Sequence, residues 1–243
     1  MGYLRSGLFY AGYIVATIVW GGLSVLVAWI LPFRTRFSFI IGRWTRFSLW
    51  WLKITCGIDH RIHGLENLPK QPSVVFCRHE STWETLFLQT LLAPQATLIK
   101  RELLHIPFFG WAFALLKPIA IDRKNPRAAL KRLISEGEAR LKDGIWVVLF
   151  PEGTRMPPER LGRFQAGGAA LATAADSVIT VIGHNAGQFW PAHQFLKTPG
   201  TIDVYIAPAV KASGKDSKAL TEEARQQMLE LIEPINNQIR RRD

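Results

Sequence analysis

The sequence predicts an α/β fold, a mixed, largely parallel sheet flanked by helices, with an N-terminal membrane-anchoring helical segment. Three observations carry this expectation. Short apolar, β-branched runs recur at Ser73–Cys77, Ala96–Lys100, Lys117–Asp122, Ile145–Phe150, Val178–Gly183 and Ile202–Ile206. Helix-like segments lie between them, at Ser81–Leu92, Pro107–Leu115, Arg127–Leu141 and Ala166–Ala175, so strand and helix alternate. Residues 6–33 contain no Asp, Glu, Lys, Arg or His.

The uncharged N-terminal run centres on Leu8 to Leu31. As a helix it would reach roughly 36 Å at about 1.5 Å per residue, enough for a hydrocarbon core of about 30 Å. A cleaved signal peptide has a shorter apolar region and a small-residue cleavage site, which Trp29-Ile-Leu-Pro-Phe33 does not provide. The run therefore reads as a retained anchor. Arg5 alone precedes it, whereas Arg34, Arg36, Arg43, Arg46 and Lys53 follow before the first acid, Asp59. By the positive-inside rule, the rest of the chain lies on the cytoplasmic face of the inner membrane.

Phe37 to Ile54 mixes bulky apolar residues with Arg43, Arg46 and Lys53. It reads as an amphipathic interfacial helix, with Trp44, Trp50 and Trp51 at the headgroup level. The alternative is a helix packed on the domain core. A full span plus a surface helix and a hairpin within one leaflet both fit the pattern. Residues 1–56 thus form an anchor and interfacial helix, and residues 57–243 the α/β domain.

Asp59–Gly64 adds an edge strand to that domain. At the C-terminal end, apolar residues at 220, 224, 228, 231, 235 and 239 mark one helical stripe, which Pro234 should kink or divide.

A formal net charge of +11 on 243 residues favours an anionic partner: nucleic acid, anionic lipid or a phosphate-bearing substrate. The anchor decides for membrane lipids and against nucleic acid. Cys56 and Cys77 make no disulfide framework, and Cys77 reads as a small buried hydrophobe.

Two constellations carry chemistry. The first is "VVFCRHESTWE", where His79 leaves an apolar run and Glu84 follows five residues later. Ser81 and Glu84 fit a capping box, the serine oxygen taking the Glu84 amide and the carboxylate reaching back to the Ser81 amide. The same geometry lets a histidine fold over the first helical turn and meet that carboxylate. One ring nitrogen would then be held and the other left to take a proton from a hydroxyl. The second constellation is "FPEGTR", residues 150–155, after the run "IWVVL". A type I turn accounts for Pro151 and Gly153 but leaves Glu152, Thr154 and Arg155 over. An arginine fork there suits a phosphate. Lys100 and Arg101 leave another strand beside Pro107 and Gly110. In such sheets ligands gather beyond the carboxyl ends of strands, so these residues can share one mouth. No metal site is expected: Trp83 stands where H-E-x-x-H needs its second histidine.

Four blocks in order resemble the glycerolipid acyltransferase family: His79-Glu-Ser-Thr-Trp-Glu84, Lys100 to Trp111, Phe150 to Arg155 in full, and Val181 to Pro191. The departure is Glu84, where the family most often has Asp. The resemblance implies transfer of a fatty acyl group from an acyl-carrier protein or coenzyme A thioester to the sn-2 hydroxyl of lysophosphatidic acid, with no cofactor. It implies that His79 is the base and Glu84 its orienter. Arg155 would hold the acceptor phosphate with help from Lys100 or Arg101, and Glu152, Gly153 and Thr154 would form the acceptor loop. Other lyso-lipid acceptors, a lipid or thioester hydrolase, and a non-catalytic lipid-binding module are the alternatives. No G-x-S-x-G elbow is present for a serine hydrolase.

Overall fold

The structure is a computed structural model and describes residues 1–122, 124–158 and 160–240, with side chains through Ile235. Chain order gives helices α1 (Gly2–Val27) and α2 (Phe33–Phe37), a π-helical turn at Ser38–Gly42, and α3 (Arg43–Cys56). Strand β1 (Ile58–His63), β2 (Val74–Cys77), α4 (Trp83–Leu91), β3 (Gln95–Lys100), α5 (Phe109–Ala114) and β4 (Ile119–Ile121) follow. The remainder is α6 (Pro126–Lys142), β5 (Trp146–Leu149), α7 (Gly167–Ala174), β6 (Val178–His184), β7 (Gly200–Ile206), β8 (Val210–Lys211) and α8 (Ser217–Arg240).

Among the described residues the strands form one sheet in the order β1-β7-β6-β2-β5-β3-β4, with β8 beside β6. β6 pairs antiparallel with β7 and β8, and the other pairs are parallel. β2 sits centrally between β5 and β6, which is why Val74, Val75, Phe76 and Cys77 are all 0% exposed. Alternate residues face opposite layers. Val75, Cys77 and Val148 pack towards α1, α3, α4 and α5, while Val74, Phe76 and Val147 pack towards α6, α7 and α8. The carboxyl ends of β2, β3, β4, β5 and β6 share one edge, since these strands run together.

The Gly2–Ile30 segment is long and apolar enough to cross a membrane. Its packing is one-sided and runs the whole length. Tyr3 stacks on Phe195, Phe9 packs edge-on to Trp190, Tyr13 meets Trp44, and the Trp20 Nε1 donates to the Phe39 carbonyl at 2.9 Å. A Cβ on Gly21 would stand 3.0 Å from the Phe108 backbone, so this close approach favours glycine. The opposite side exposes Leu4, Leu8, Val15, Ile18, Val19, Leu23 and Leu26 as one stripe.

One expectation changes and a second is narrowed. Trp44 does not face outward: α1 covers it, it is buried between Tyr13 and Phe109, and its Nε1 donates to the Thr17 hydroxyl at 3.1 Å. Trp50 is the tryptophan of α3 that is openly exposed. Pro234 does not divide α8. Ile232 and Ile235, both buried, hold the helix on either side of a proline that costs about 3 kcal/mol in a helix interior. Leu220, Ala224 and Met228 are buried as the stripe requires, and Ile239 lies outside the described side chains. The short strand β8 has no signal in the sequence.

Candidate active site

β2 ends at Cys77, and Arg78 still bonds the Ile182 carbonyl of β6 at 3.1 Å. The chain then turns into α4, and this turn builds the site. Glu84 lies in the first helical turn with its side chain 0% exposed. Its Oε1 accepts the Glu80 N–H at 3.1 Å, the Ser81 N–H at 2.9 Å and the His79 Nδ1 at 2.8 Å. The Ser81 hydroxyl oxygen takes the Trp83 N–H, not that of Glu84 as a full capping box would require, and donates to the Trp190 carbonyl at 2.6 Å. With Nδ1–H directed at a carboxylate, Nε2 is the acceptor nitrogen. Among the described residues it has no hydrogen-bond partner. The imidazole also stacks on Phe150, with centroids 4.1 Å apart.

Burial works against the charge on Glu84. The His79 bond, the His184 and His79 charges and the Ser81 amide outweigh it, and hold the carboxyl below its usual value.

The second constellation meets the first through His79's own backbone. The Glu152 Oε2 accepts the His79 N–H at 2.9 Å, and its Oε1 accepts the Gly162 N–H at 2.9 Å. The Met156 N–H in turn donates to the His79 carbonyl at 2.7 Å. Glu152 is thus a buried brace between two loops, and burial pushes its carboxyl up despite the two amides. Gly153 has φ +73°, the left-handed conformation that favours glycine in this turn. Thr154 is exposed.

Arg155 is one residue from the Met156 tie and lines a cleft of about 320 Å³ with Tyr10, Thr82, Trp190, His193, Gln194 and Phe195. Its Nε is buried without a hydrogen-bond partner, and among the described residues it forms no ion pair. An unpaired guanidinium facing a cleft suits an anion. Lys100 ends β3 and Arg101 opens the 3₁₀ turn after it, next to β5 on the same sheet edge. Neither lines this cleft, and both are exposed.

Sequence reasoning missed a buried ionic cluster behind the turn. Arg78 Nε lies 3.1 Å from Glu80 Oε2, and Glu80 Oε1 lies 3.3 Å from His184 Nδ1. Arg78 also bonds the His184 and Pro158 carbonyls, and His184 Nε2 lies 2.9 Å from the Arg78 carbonyl. Burial opposes charge on His184, but Cys77 and the carboxylates of Glu80 and Glu84 raise its pKa well above the ordinary value. The cluster pins the ends of β2 and β6 together. Its one sequence signal was three adjacent polar residues, Arg78 to Glu80, at the exit of a fully apolar strand. Tyr10, Thr82, His193 and Gln194 had none.

The acyltransferase family model matches residues 59–210. A 1-acyl-sn-glycerol-3-phosphate acyltransferase of Pseudomonas aeruginosa is 49% identical over 219 residues, covering 90% of this chain and 85% of the relative. The human 1-acyl-sn-glycerol-3-phosphate acyltransferase alpha is 29% identical over 197 residues, covering 79% of this chain and 70% of that protein. The crystal structure of the 1-acyl-sn-glycerophosphate (LPA) acyltransferase PlsC from Thermotoga maritima superposes with a TM-score of 0.78 at 21% identity, covering 96% of this chain and 95% of that one, and so shares the fold. The matched span contains the strand exit, the His79–Glu84 pair and the loop that carries Arg155, and the chain belongs to the acyltransferase family.

Proposed function

We propose that the protein transfers a fatty acyl group from a thioester to the sn-2 hydroxyl of lysophosphatidic acid, forming phosphatidic acid. The observation that carries this is the tie between the His79–Glu84 pair and the loop bearing unpaired Arg155. A base and an anion site held by one hydrogen-bonded backbone suit an acceptor with a hydroxyl near a phosphate.

In this reading the Arg155 guanidinium holds the phosphate, and the acceptor hydroxyl reaches His79 Nε2. Nε2 takes the hydroxyl proton as oxygen attacks the thioester carbonyl carbon. A C–O bond forms, the C–S bond breaks, and the imidazolium returns the proton to the departing thiolate. Glu84 stabilises the imidazolium between these steps and fixes the tautomer. Proton transfer of this kind contributes on the order of a hundred- to ten-thousand-fold. The substrate brings its own nucleophile, so no covalent acyl-enzyme is needed.

The donor is an acyl-carrier protein or coenzyme A thioester, and the basic chain suits either anionic carrier. Lys100 and Arg101 stand on the same sheet edge as auxiliary cations for acceptor or donor. Residues 1–56 serve as the anchor and 57–243 as the catalytic domain, at the cytoplasmic face of the inner membrane. The exposed stripe of α1 supports a helix lying within one leaflet. An upright span would carry Trp190, Phe195 and α5, packed along it, into the hydrocarbon.

Purified protein assayed with a panel of lyso-lipids and both donor types tests this. Phosphatidic acid should be the favoured product. Equal use of lyso-lipids lacking a phosphomonoester, or release of free fatty acid without acceptor, would overturn the reading.

A further inference from the structure

Lys197 is 3% exposed, yet among the described residues no carboxylate pairs with it. Its Nζ donates to the Phe195 carbonyl at 3.3 Å. The rest of its surroundings are aromatic: the ring centroids of Tyr10, Trp190, Phe9 and Phe195 lie 3.6, 4.6, 4.8 and 6.0 Å from Nζ. An ammonium in such a cage is held by the negative faces of the rings. Burying a cation without a counter-ion is costly, and a methionine would fill the same space without that penalty. The charge is therefore accounted for by what it fixes in place.

Two of the rings, Phe9 and Tyr10, belong to α1, and two, Trp190 and Phe195, to the segment between β6 and β7. Tyr10, Trp190 and Phe195 all line the Arg155 cleft, whereas Lys197 does not. The Lys197 N–H adds a bond of 3.0 Å to the Ser6 hydroxyl of α1. The other hydrogen bonds between α1 and its surroundings run to the π-helical turn and α3, through Trp20, Trp44 and Trp51, whereas on the side of Trp190 and Phe195 its remaining contacts are between aromatic rings. In lipid those contacts exert little pull, because acyl chains solvate leucine and phenylalanine as well as the protein does. A directional polar contact is what sets the seat and register of such a helix.

We propose that Lys197 is a positioning residue of the acceptor site: its caged ammonium clamps Tyr10 of the N-terminal helix to Trp190 and Phe195, and so builds the cleft wall that faces Arg155. The membrane helix is then part of the acceptor pocket, and acceptor recognition depends on its being seated. The proposal rests on the reading of the Arg155 cleft as the acceptor site.

The test is steady-state kinetics of the full chain in detergent micelles, with lysophosphatidic acid and an acyl-coenzyme A varied in turn. Lys197→Met keeps the length and removes the charge. It should raise the acceptor KM roughly tenfold and leave the donor KM within about twofold. Lys197→Arg, which keeps the charge and the ring contacts, should recover most of the loss. An acceptor KM unchanged in Lys197→Met, or acceptor and donor constants rising together, overturns the proposal. Should Lys197→Met not accumulate, Phe9→Leu decides alone. It takes a ring from the cage without touching the cleft lining, and an unchanged acceptor KM again overturns the clamp. Wild-type turnover in the same assay reports on the functional reading separately: no transfer to lysophosphatidic acid sinks both.

Discussion

His79 Nδ1 lies 2.8 Å from Glu84 Oε1, and that same oxygen accepts the backbone N–H groups of Glu80 and Ser81. One carboxylate oxygen therefore caps the helix and orients the imidazole together. Glu84→Gln separates the two jobs. The amide oxygen can still take the backbone donors, but the negative charge that stabilises the imidazolium is gone. Turnover should fall by about a hundredfold or more, while the Tm drops by only a few degrees. A loss of activity no larger than the loss of folded protein would reduce Glu84 to a cap.

The pair also sets an acid limit. The Glu84 carboxyl is depressed in the folded state, so its contribution to stability is present above the unfolded value of about 4.3 and is lost as pH falls through the folded value. The Tm difference between wild type and Glu84→Gln should therefore be constant near neutrality and shrink below about pH 4. Thermal melts at stepped pH measure it, and a difference that widens on acidification would contradict the sign.

Much of this was legible because it is periodic or local. The apolar runs marked β2, β3, β5 and β6 to within about two residues, and the spacing of His79 and Glu84 let a histidine ahead of α4 fold over its first turn to the carboxylate. What stayed hidden is long-range. Whether Arg78 and Glu80 face water or a buried histidine depends on β6 lying beside β2, a pairing of residues about a hundred positions apart. Trp44 reads as an interfacial residue only until α1 is laid across it. Tyr10 reads as one more anchor aromatic, since nothing in residues 6–33 distinguishes the ring that lines a cleft.

Arg155→Ala should raise the acceptor KM by one to two orders of magnitude with kcat little changed, because a charge-assisted phosphate contact is removed far from bond making. Arg155→Lys should recover less than half of that loss in free energy, since a single ammonium cannot replace the fork. Initial rates with lysophosphatidic acid decide this. An acceptor KM equal to wild type would move the phosphate to another cation, with Lys100 and Arg101 the next to test.

Glu152 behaves differently from a substrate-binding residue. Both of its oxygens accept backbone N–H groups, from His79 and Gly162, each at 2.9 Å. Glu152→Gln offers one acceptor and one donor to those two donors, so one bond must break and the His79 backbone or the Gly162 loop shifts. Misplacing a base by even about 1 Å can cost on the order of a hundredfold, so kcat should fall tenfold or more. The acceptor KM should stay within about twofold. A raised KM with unchanged kcat would put this carboxylate on the substrate.

Lys197 carries a stability signature of its own. Burial lowers its ammonium to about 8, with Cys56 acting weakly in the other direction. The unfolded value is about 10.4, so between these limits the unfolded chain binds more protons and wild-type stability rises with pH. Lys197→Met has no such titration. Its Tm relative to wild type should be highest below pH 8 and should decline as pH climbs towards 10, even though ring contacts return part of the cost of the charge. Paired melts across pH 7–10 in the same detergent read this directly. A difference that stays flat would mean that the folded-state pKa is not lowered, the rings and the Phe195 carbonyl offsetting the burial in full.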